Sequence, residues 1–195
     1  MARTLDIIPV LHNEADLGSV AASVRHRMGE AAWAERQHAI EAFWQAVTKW
    51  AAKQDPIGLR VYQDGLPVTD EAARIVRELA AKGSTNHQVV SSLITRGGEL
   101  VGTESPELLV SEYELAKGAA EAAAAGRLPD PRHEARQRTL LEQRDRFIAG
   151  RIDETLPSGG RGVLFIGLLH SVEPHLPDDI ETRRPLEPPS AKAAG

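Results

Sequence analysis

The sequence predicts an α/β protein with a mostly parallel central sheet of four to five strands flanked by helices. Short β-branched and aliphatic runs alternate with helical segments along the chain, which is typical of a parallel sheet. The stretch "VLFIGLL" at 163–169 is apolar without interruption, as expected of a strand covered on both faces. Abundant alanine and an aromatic content of only 4% favour a core of aliphatic side chains and closely packed helices.

The first half of the chain predicts two strands and four helical segments. "TLDIIPVL" at 4–11 is a strand that Pro9 weakens near its end. Ser19 is placed to cap a helix that continues, with a break at Gly29, to about Lys53. One face of its second half carries apolar residues at helical spacing, namely Ile40, Phe43, Trp44, Val47 and Trp50. The second strand is "LRVYQDG" at 59–65, after the turn "DPIG", and two shorter helices follow at about 70–82 and 84–96.

The second half predicts two long helices and the remaining strands. The middle of "GGELVGTE" is a third strand. Ser105 is an N-cap and Pro106 a first helical residue for a helix that reaches about Ala125. Another long helix covers about 132–156, the apolar stretch at 163–169 is the fourth strand, and "DIETRRPL" is a candidate fifth.

Length and composition limit the classes of protein to consider. A chain of 195 residues favours a single domain, here 1–186, with a disordered tail at 187–195. A net charge of −5 and no basic stripe argue against nucleic-acid binding. The absence of cysteine excludes disulfides and thiolate zinc sites and fits a reducing compartment. Without a signal peptide or a run of 18 apolar residues, we expect a soluble cytoplasmic protein without membrane contact.

Each of the first four predicted strands leads directly to a polar side chain: His12, Asp64, Glu104 and His170. Ligands of open α/β sheets bind at the carboxyl ends of the strands, so these side chains are expected to meet at one edge. His12, Glu104 and His170 are candidate ligands of a divalent metal ion that activates water. Acid–base chemistry without a metal stays open, with Asp64 and Glu104 as candidate catalytic carboxylates. A simpler interpretation also stays open: polar residues commonly follow strands because strands end where the chain reaches water.

Helical phase adds Arg144 to the candidate site. It falls on the apolar face of its helix together with Leu140, Leu141, Phe147, Ile148 and Ile152. Glu112 falls on the apolar face of the preceding helix, and a buried charge needs a partner. Two interpretations remain: a Glu112–Arg144 ion pair between helices, or an arginine directed at a substrate carbonyl or carboxylate.

The stretch "RDRFIAGRIDETLPSGGRGVLFIGLLH" resembles the C-terminal part of the TraB/EreA/ChaN superfamily, which includes TraB-like proteins, erythromycin-esterase-like enzymes and Tiki-type proteases. The resemblance covers mainly 142–170 and rests on Arg144-Asp145, Ala149 and the G-x-x-H of Gly167 to His170. A looser match lies at "PVLH", where Pro9 replaces the expected glycine. The resemblance implies metal or acid–base roles for His12, Glu104 and His170, and a substrate-clamping role for Arg144.

These observations lead to one leading hypothesis and two alternatives. The leading hypothesis is a metal-assisted hydrolase that cleaves an ester or amide bond of a small-molecule or peptide substrate, with Glu104, Arg144 and Asp64 as catalytic residues. The first alternative is a non-catalytic protein that binds a ligand such as haem or a small regulator. The second is a partner-binding protein whose polar strand ends are structural. The identity of the metal and homo-oligomerisation stay open.

Overall fold

The protein is built on a five-stranded sheet in which all paired strands are parallel. A computed structural model describes residues 1–17, 21–126 and 130–189. The strands are β1 (Arg3–Val10), β2 (Leu59–Pro67), β3 (Glu99–Glu104), β4 (Arg161–Gly167) and β5 (Ile180–Arg183). Their spatial order is β3-β2-β4-β1-β5. The predicted α/β class and the fifth strand are thus confirmed.

Seven α-helices accompany these strands in the described part of the chain. They are α1 (Glu14–Leu17), α2 (Ala21–Met28), α3 (Glu30–Ala52), α4 (Ala72–Ala81), α5 (Thr85–Thr95), α6 (Pro106–Ala124) and α7 (His133–Thr155). The predicted break at Gly29 separates α2 from α3, and Ser105 caps α6 by accepting a hydrogen bond from the Leu108 amide. The predicted cap at Ser19 lies outside the described residues, as do 190–195 of the predicted tail.

Helices cover both faces of the sheet, and alternate side chains of each strand enter opposite cores. In β4, Val163 and Phe165 pack with α3, α4 and α5, whereas Leu164 and Ile166 pack with α7. The apolar face predicted for α3 lies in the first core, where Ile40, Phe43, Trp44 and Val47 are buried. The second core contains Ile148 and Ile152 of α7.

The position of β4 explains its unbroken apolar sequence. It lies in the middle of the sheet, paired with β1 on one side and β2 on the other, so both its edges and both its faces are covered. The predicted extension of this strand to Leu169 is wrong, because β4 ends at Gly167. Leu168 and Leu169 lie in the following turn with 56% and 82% of their surface exposed.

Pro9 is tolerated because of its place in β1. β5 pairs only with Arg3 to Asp6, so β1 has no strand beside it on that edge at Pro9. A proline that donates no backbone hydrogen bond is accommodated at such a position. β1 continues to Val10 beside β4 and therefore delivers His12 to the same end of the sheet as Gly167.

The parallel arrangement brings the carboxyl ends of four strands to one edge. Asp64 lies in the second half of β2, Glu104 is the last residue of β3, and Gly167 ends β4. These strands are neighbours in the sheet, since β2 pairs with both β3 and β4. No helix among the described residues combines the length and apolarity needed to cross a membrane.

Candidate active site

Asp64 is held at the edge of the sheet by the backbone of β4. Its Oδ2 accepts a hydrogen bond from the Gly167 amide at 3.0 Å. A Cβ at position 167 would lie 3.1 Å from this oxygen, so glycine leaves the room that the carboxylate needs. Gly65 follows with a φ of 72°, a left-handed conformation that favours glycine, and turns β2 out of its regular pairing with β3. The Gly-x-x-His pattern therefore has a steric reason at its glycine.

Glu104 and Arg144 form a buried ion pair behind Asp64. Arg144 Nη2 donates to Glu104 Oε1 at 2.6 Å and to Asp64 Oδ1 at 2.9 Å, while its Nε donates to Glu104 Oε2 at 3.2 Å. The side chain of Glu104 is fully buried, and that of Arg144 is 5% exposed. The Gly65 amide lies 3.4 Å from Glu104 Oε1. The predicted burial of Arg144 is confirmed, and its guanidinium joins the second and third strand ends.

Glu112 also pairs with Arg144, but from the surface. Arg144 Nη1 donates to Glu112 Oε1, which forms the predicted ion pair between α6 and α7. The expectation that Glu112 is itself buried is wrong, because half of its side chain is exposed. The physical reason is that α6 lies at the periphery and contains no buried residue.

His170 is oriented by a carboxylate from α7. Its Nδ1 donates to Asp145 Oδ1 at 2.5 Å, and the other oxygen of Asp145 accepts the Ser171 amide at 2.9 Å. The opposite nitrogen, Nε2, faces Asp64 Oδ1 at 3.5 Å. Asp145 and the side chain of His170 are both almost fully buried. The imidazole is therefore fixed between two carboxylates, one behind it and one in front.

Burial and charge shift the titration of this cluster. Burial favours the neutral imidazole of His170, but the carboxylates of Asp145 and Asp64 outweigh it and raise the pKa to about 9. Burial would raise the pKa of Asp64, yet the neighbouring His170 and Arg144 cations hold it well below its usual range. For Glu104, burial outweighs Arg144 and raises the pKa above its ordinary value. At neutral pH the imidazole is thus cationic and Asp64 anionic.

A cavity of about 500 Å³ opens beside the cluster. Asp64, Arg144 and His170 lie in its wall together with His12 and Arg36. The structure brings His12 to this cavity but not into the carboxylate cluster. β1 ends two residues before His12, and His12 is exposed. Its backbone oxygen lies 3.5 Å from Arg36 Nη2.

The group best placed to hold a cation is Asp64, Glu104 and His170. One ligand atom from each lies within 4.8 Å of the others. The candidate ligands named from the sequence were His12, Glu104 and His170, and this group contains Asp64 instead of His12. The donor set of one imidazole nitrogen and two carboxylates suits a divalent metal of the zinc or manganese type. Arg144 occupies one lone-pair direction on Asp64 and two on Glu104, and a carboxylate offers about four such directions.

Comparison of the chain with protein-family models, with curated proteins and with solved structures finds no match. The site must therefore be interpreted from its own geometry.

The sequence did not assign a role to Asp145, although it stands beside Arg144. The two residues are adjacent on α7 and point about 100° apart, yet both are buried. A charged residue at the border of an apolar face, next to another buried charge, is the one signal that could have found it. Arg36 carries no comparable signal, because it lies within the polar stretch "ERQH" of α3.

Proposed function

We propose that this protein is a hydrolase that cleaves an ester or amide bond with a divalent metal ion held by Asp64, Glu104 and His170. The observation that carries the proposal is the orientation of His170. Its Nδ1 is bound to Asp145, while Nε2 faces Asp64. Metal-binding histidines in proteins characteristically donate their second ring nitrogen to a carboxylate in this way.

The charge of the cluster supports a bound cation. Four carboxylates, from Asp64, Glu104, Glu112 and Asp145, surround only two cationic groups, Arg144 and His170. A divalent ion replacing the proton of His170 would reduce this excess of negative charge. When bound, such an ion would polarise the scissile carbonyl and lower the pKa of water.

The proposed roles of Asp64, Glu104 and Arg144 follow from their exposure. Asp64 has 18% of its side chain exposed, so it can orient water at the cavity wall and accept a hydrogen bond from it. Glu104 has no exposed surface and acts through its contacts with Arg144, which makes it a positioning residue as well as a ligand. Arg144 touches the cavity and stabilises the negative charge that develops on a carbonyl oxygen during attack.

The resemblance of 142–170 to the TraB/EreA/ChaN superfamily favours the same proposal, since Arg144-Asp145 and Gly167 to His170 are the residues that build the cluster. We also propose that the protein belongs to that superfamily and acts in the cytoplasm. The absence of cysteine favours such a reducing compartment.

The test combines metal analysis with hydrolysis of chromogenic esters and anilides. Untagged protein is stripped with a chelator, dialysed against Zn²⁺, Mn²⁺ or Mg²⁺, and analysed for bound metal. We expect one ion per chain in the wild type and in the control His175→Ala, and loss of the ion in His170→Gln and Asp64→Asn. Circular dichroism establishes that each variant is folded. Stoichiometric metal that persists in both cluster variants, or no metal in any protein, would overturn the proposal.

A second candidate function is ligand binding without catalysis. Arg144 already donates to Asp64, Glu104 and Glu112, so each of these carboxylates has a hydrogen-bond partner without a metal. The same edge would then hold a ligand such as haem or a small regulator. A shift and sharpening of the Soret band of added haem relative to free haem, lost in His170→Gln and His12→Gln, would favour this candidate. In a metal-free protein without hydrolytic activity it becomes the leading one.

A further inference from the structure

A second cavity, the α6–α7 groove, lies between these two helices and beside the proposed active site. It has a volume of about 640 Å³, within the roughly 300–1,000 Å³ typical of small-molecule sites. Its apolar wall consists of Leu109, Tyr113, Leu115, Leu140, Leu141 and Leu169. The helix α6 supplies Leu109, Tyr113 and Leu115 of this wall and contains no buried residue. The groove is therefore formed by apolar side chains that the described residues cover only in part.

The α6–α7 groove is continuous with the cavity of the active site. Glu112, Leu141 and Leu169 line both. Leu169 directly precedes His170, which lines the cavity of the active site. An extended ligand can occupy the two cavities at once, with its polar end at the cluster and its apolar part between the helices.

The distribution of polar residues along α7 gives this ligand a direction. The polar side chains Glu134, Gln137 and Arg138 lie at the first half of the helix, and Arg144 lies at the cluster. Leu140 and Leu141 separate the two. Ten residues from Glu134 to Arg144 correspond to about 15 Å of helix, which an extended chain of methylene groups can follow.

Exposure of two of the groove residues favours a binding site here. Leu169 is 82% exposed and Tyr113 is 64% exposed, an unusual concentration of apolar surface beside a charged cluster. Contiguous apolar patches on soluble proteins commonly mark binding sites. Among possible occupants, an unbranched chain fits best because the groove adjoins the cavity of the proposed reaction centre and seven of its eleven lining residues are apolar or aromatic.

We propose that the substrate carries an unbranched acyl chain that lies in the α6–α7 groove and places its ester or amide carbonyl beside His170. This inference rests on the proposed hydrolytic function and specifies the substrate class. Chain binding and hydrolysis are measured separately, so that one can fail while the other holds.

Binding is measured with methyl ketones, whose carbonyl resembles that of an ester but which cannot be hydrolysed. Titration calorimetry compares 2-hexanone, 2-octanone and 2-decanone on the full chain. We expect affinity to rise by up to about fourfold for each added methylene group, from about 0.8 kcal/mol per buried methylene. The variant Leu115→Asp should abolish this chain-length dependence, as should Leu169→Asp. Ile57→Asp is the matched control, because Ile57 is 75% exposed but precedes β2 at the opposite edge.

Hydrolysis provides the second arm, with p-nitrophenyl esters from acetyl to decanoyl. We expect KM to fall with chain length in the wild type and in Ile57→Asp, and to become independent of it in Leu115→Asp. Equal affinity for short and long ketones overturns the inference, even if acetyl esters are cleaved and the hydrolase proposal stands. Ketone binding that depends on Leu115 in a protein without metal or activity refutes the hydrolase but retains the groove as an alkyl-chain site. If the wild type is a dimer that Leu115→Asp converts to a monomer, and no ketone binds, a second copy covers the groove and the inference is wrong.

Discussion

Two buried arginines at opposite ends of the sheet show what separates a structural cluster from a candidate functional one. Arg3 begins β1 and binds Asp153 and Asp179, whose side chains are 50% and 54% exposed. Arg144 binds Glu104, which is fully buried, together with Asp64 and Glu112. The two guanidinium groups are similarly buried, so the difference lies in their partners.

The donors of the two arginines are used differently. Arg3 holds both oxygens of Asp179 and also donates to the backbone oxygens of Asp153 and Leu156. These contacts join the start of β1 to the end of α7 and to the residue before β5. Arg144 donates only to carboxylates, beside a cavity and an imidazole. A buried arginine whose carboxylate partners are half exposed fastens elements together, whereas one with a fully buried carboxylate partner beside a cavity holds charge near a place that a ligand can reach.

The largest expected effect is the loss of stability in Arg144→Ala. This variant leaves Glu104 buried without its cation, which costs about 3–5 kcal/mol for buried ion pairs. Arg3→Ala should cost less, about 2 kcal/mol, because its carboxylate partners return to water. Urea unfolding followed by tryptophan fluorescence measures both. Arg146→Ala, an exposed position on α7, is the control and should change stability by less than about 1 kcal/mol. Equal losses for Arg144→Ala and Arg3→Ala would remove the distinction between the clusters.

Asp145→Asn sharpens the comparison by weakening the contact behind His170. The amide oxygen can still accept the Ser171 amide, but the negative charge beside Nδ1 is gone. We expect a loss of about 1.5–3 kcal/mol, the range for hydrogen bonds to charged groups. The pKa of His170 should fall below its wild-type value of about 9. NMR titration of the imidazole protons measures this pKa. An unchanged value would mean that Asp64 alone keeps the imidazole charged.

The pH dependence of stability also distinguishes the two ends of the sheet. The pKa of His170 is about 9 in the folded protein and about 6.5 when unfolded, so protonation stabilises the fold. This contribution is complete below about pH 6.5 and is lost as the pH rises through about 9. After allowance for solvent screening we expect it to be about 1–2 kcal/mol.

Urea unfolding of metal-free protein between pH 6 and 10 tests this expectation. The wild type should lose stability relative to His170→Gln across this range. Arg3→Ala should keep the wild-type slope, because the raised pKa of Arg3 and the lowered pKa of Asp179 lie outside it. A slope that is the same in His170→Gln and in the wild type would assign the pH dependence to another group.

Much of the fold is predictable because each strand and helix has a local signal. The apolar run of β4 identifies a strand covered on both faces, and the phase of α7 identifies Arg144 as buried. The order of the strands cannot be predicted in this way, because periodicity reveals that a strand exists but not which strand lies beside it. That order places Asp64, rather than His12, beside Glu104 and His170.

The remaining differences between sequence and structure have a common cause. Leu168 and Leu169 were expected in a buried strand, and Glu112 on a buried helix face, yet all three are exposed. An apolar pattern identifies side chains that are suited to apolar contacts. It does not reveal whether those contacts are made by the protein's own core or by another molecule. The exposed residues Leu169 and Glu112 both line the α6–α7 groove, where we place a substrate chain.

The smallest expected effect is that of Asp153→Asn at the amino end of the sheet. Arg3 keeps its paired contacts with Asp179 and the backbone oxygen of residue 153, and the lost charge is half-exposed. Exposed ion pairs contribute less than about 1 kcal/mol, so unfolding in urea should shift only slightly. Metal content and the pKa of His170 should match the wild type. A large loss of stability would show that hydrated partners can matter as much as buried ones, and the burial of Glu104 would then no longer distinguish the cluster at Arg144 from the cluster at Arg3.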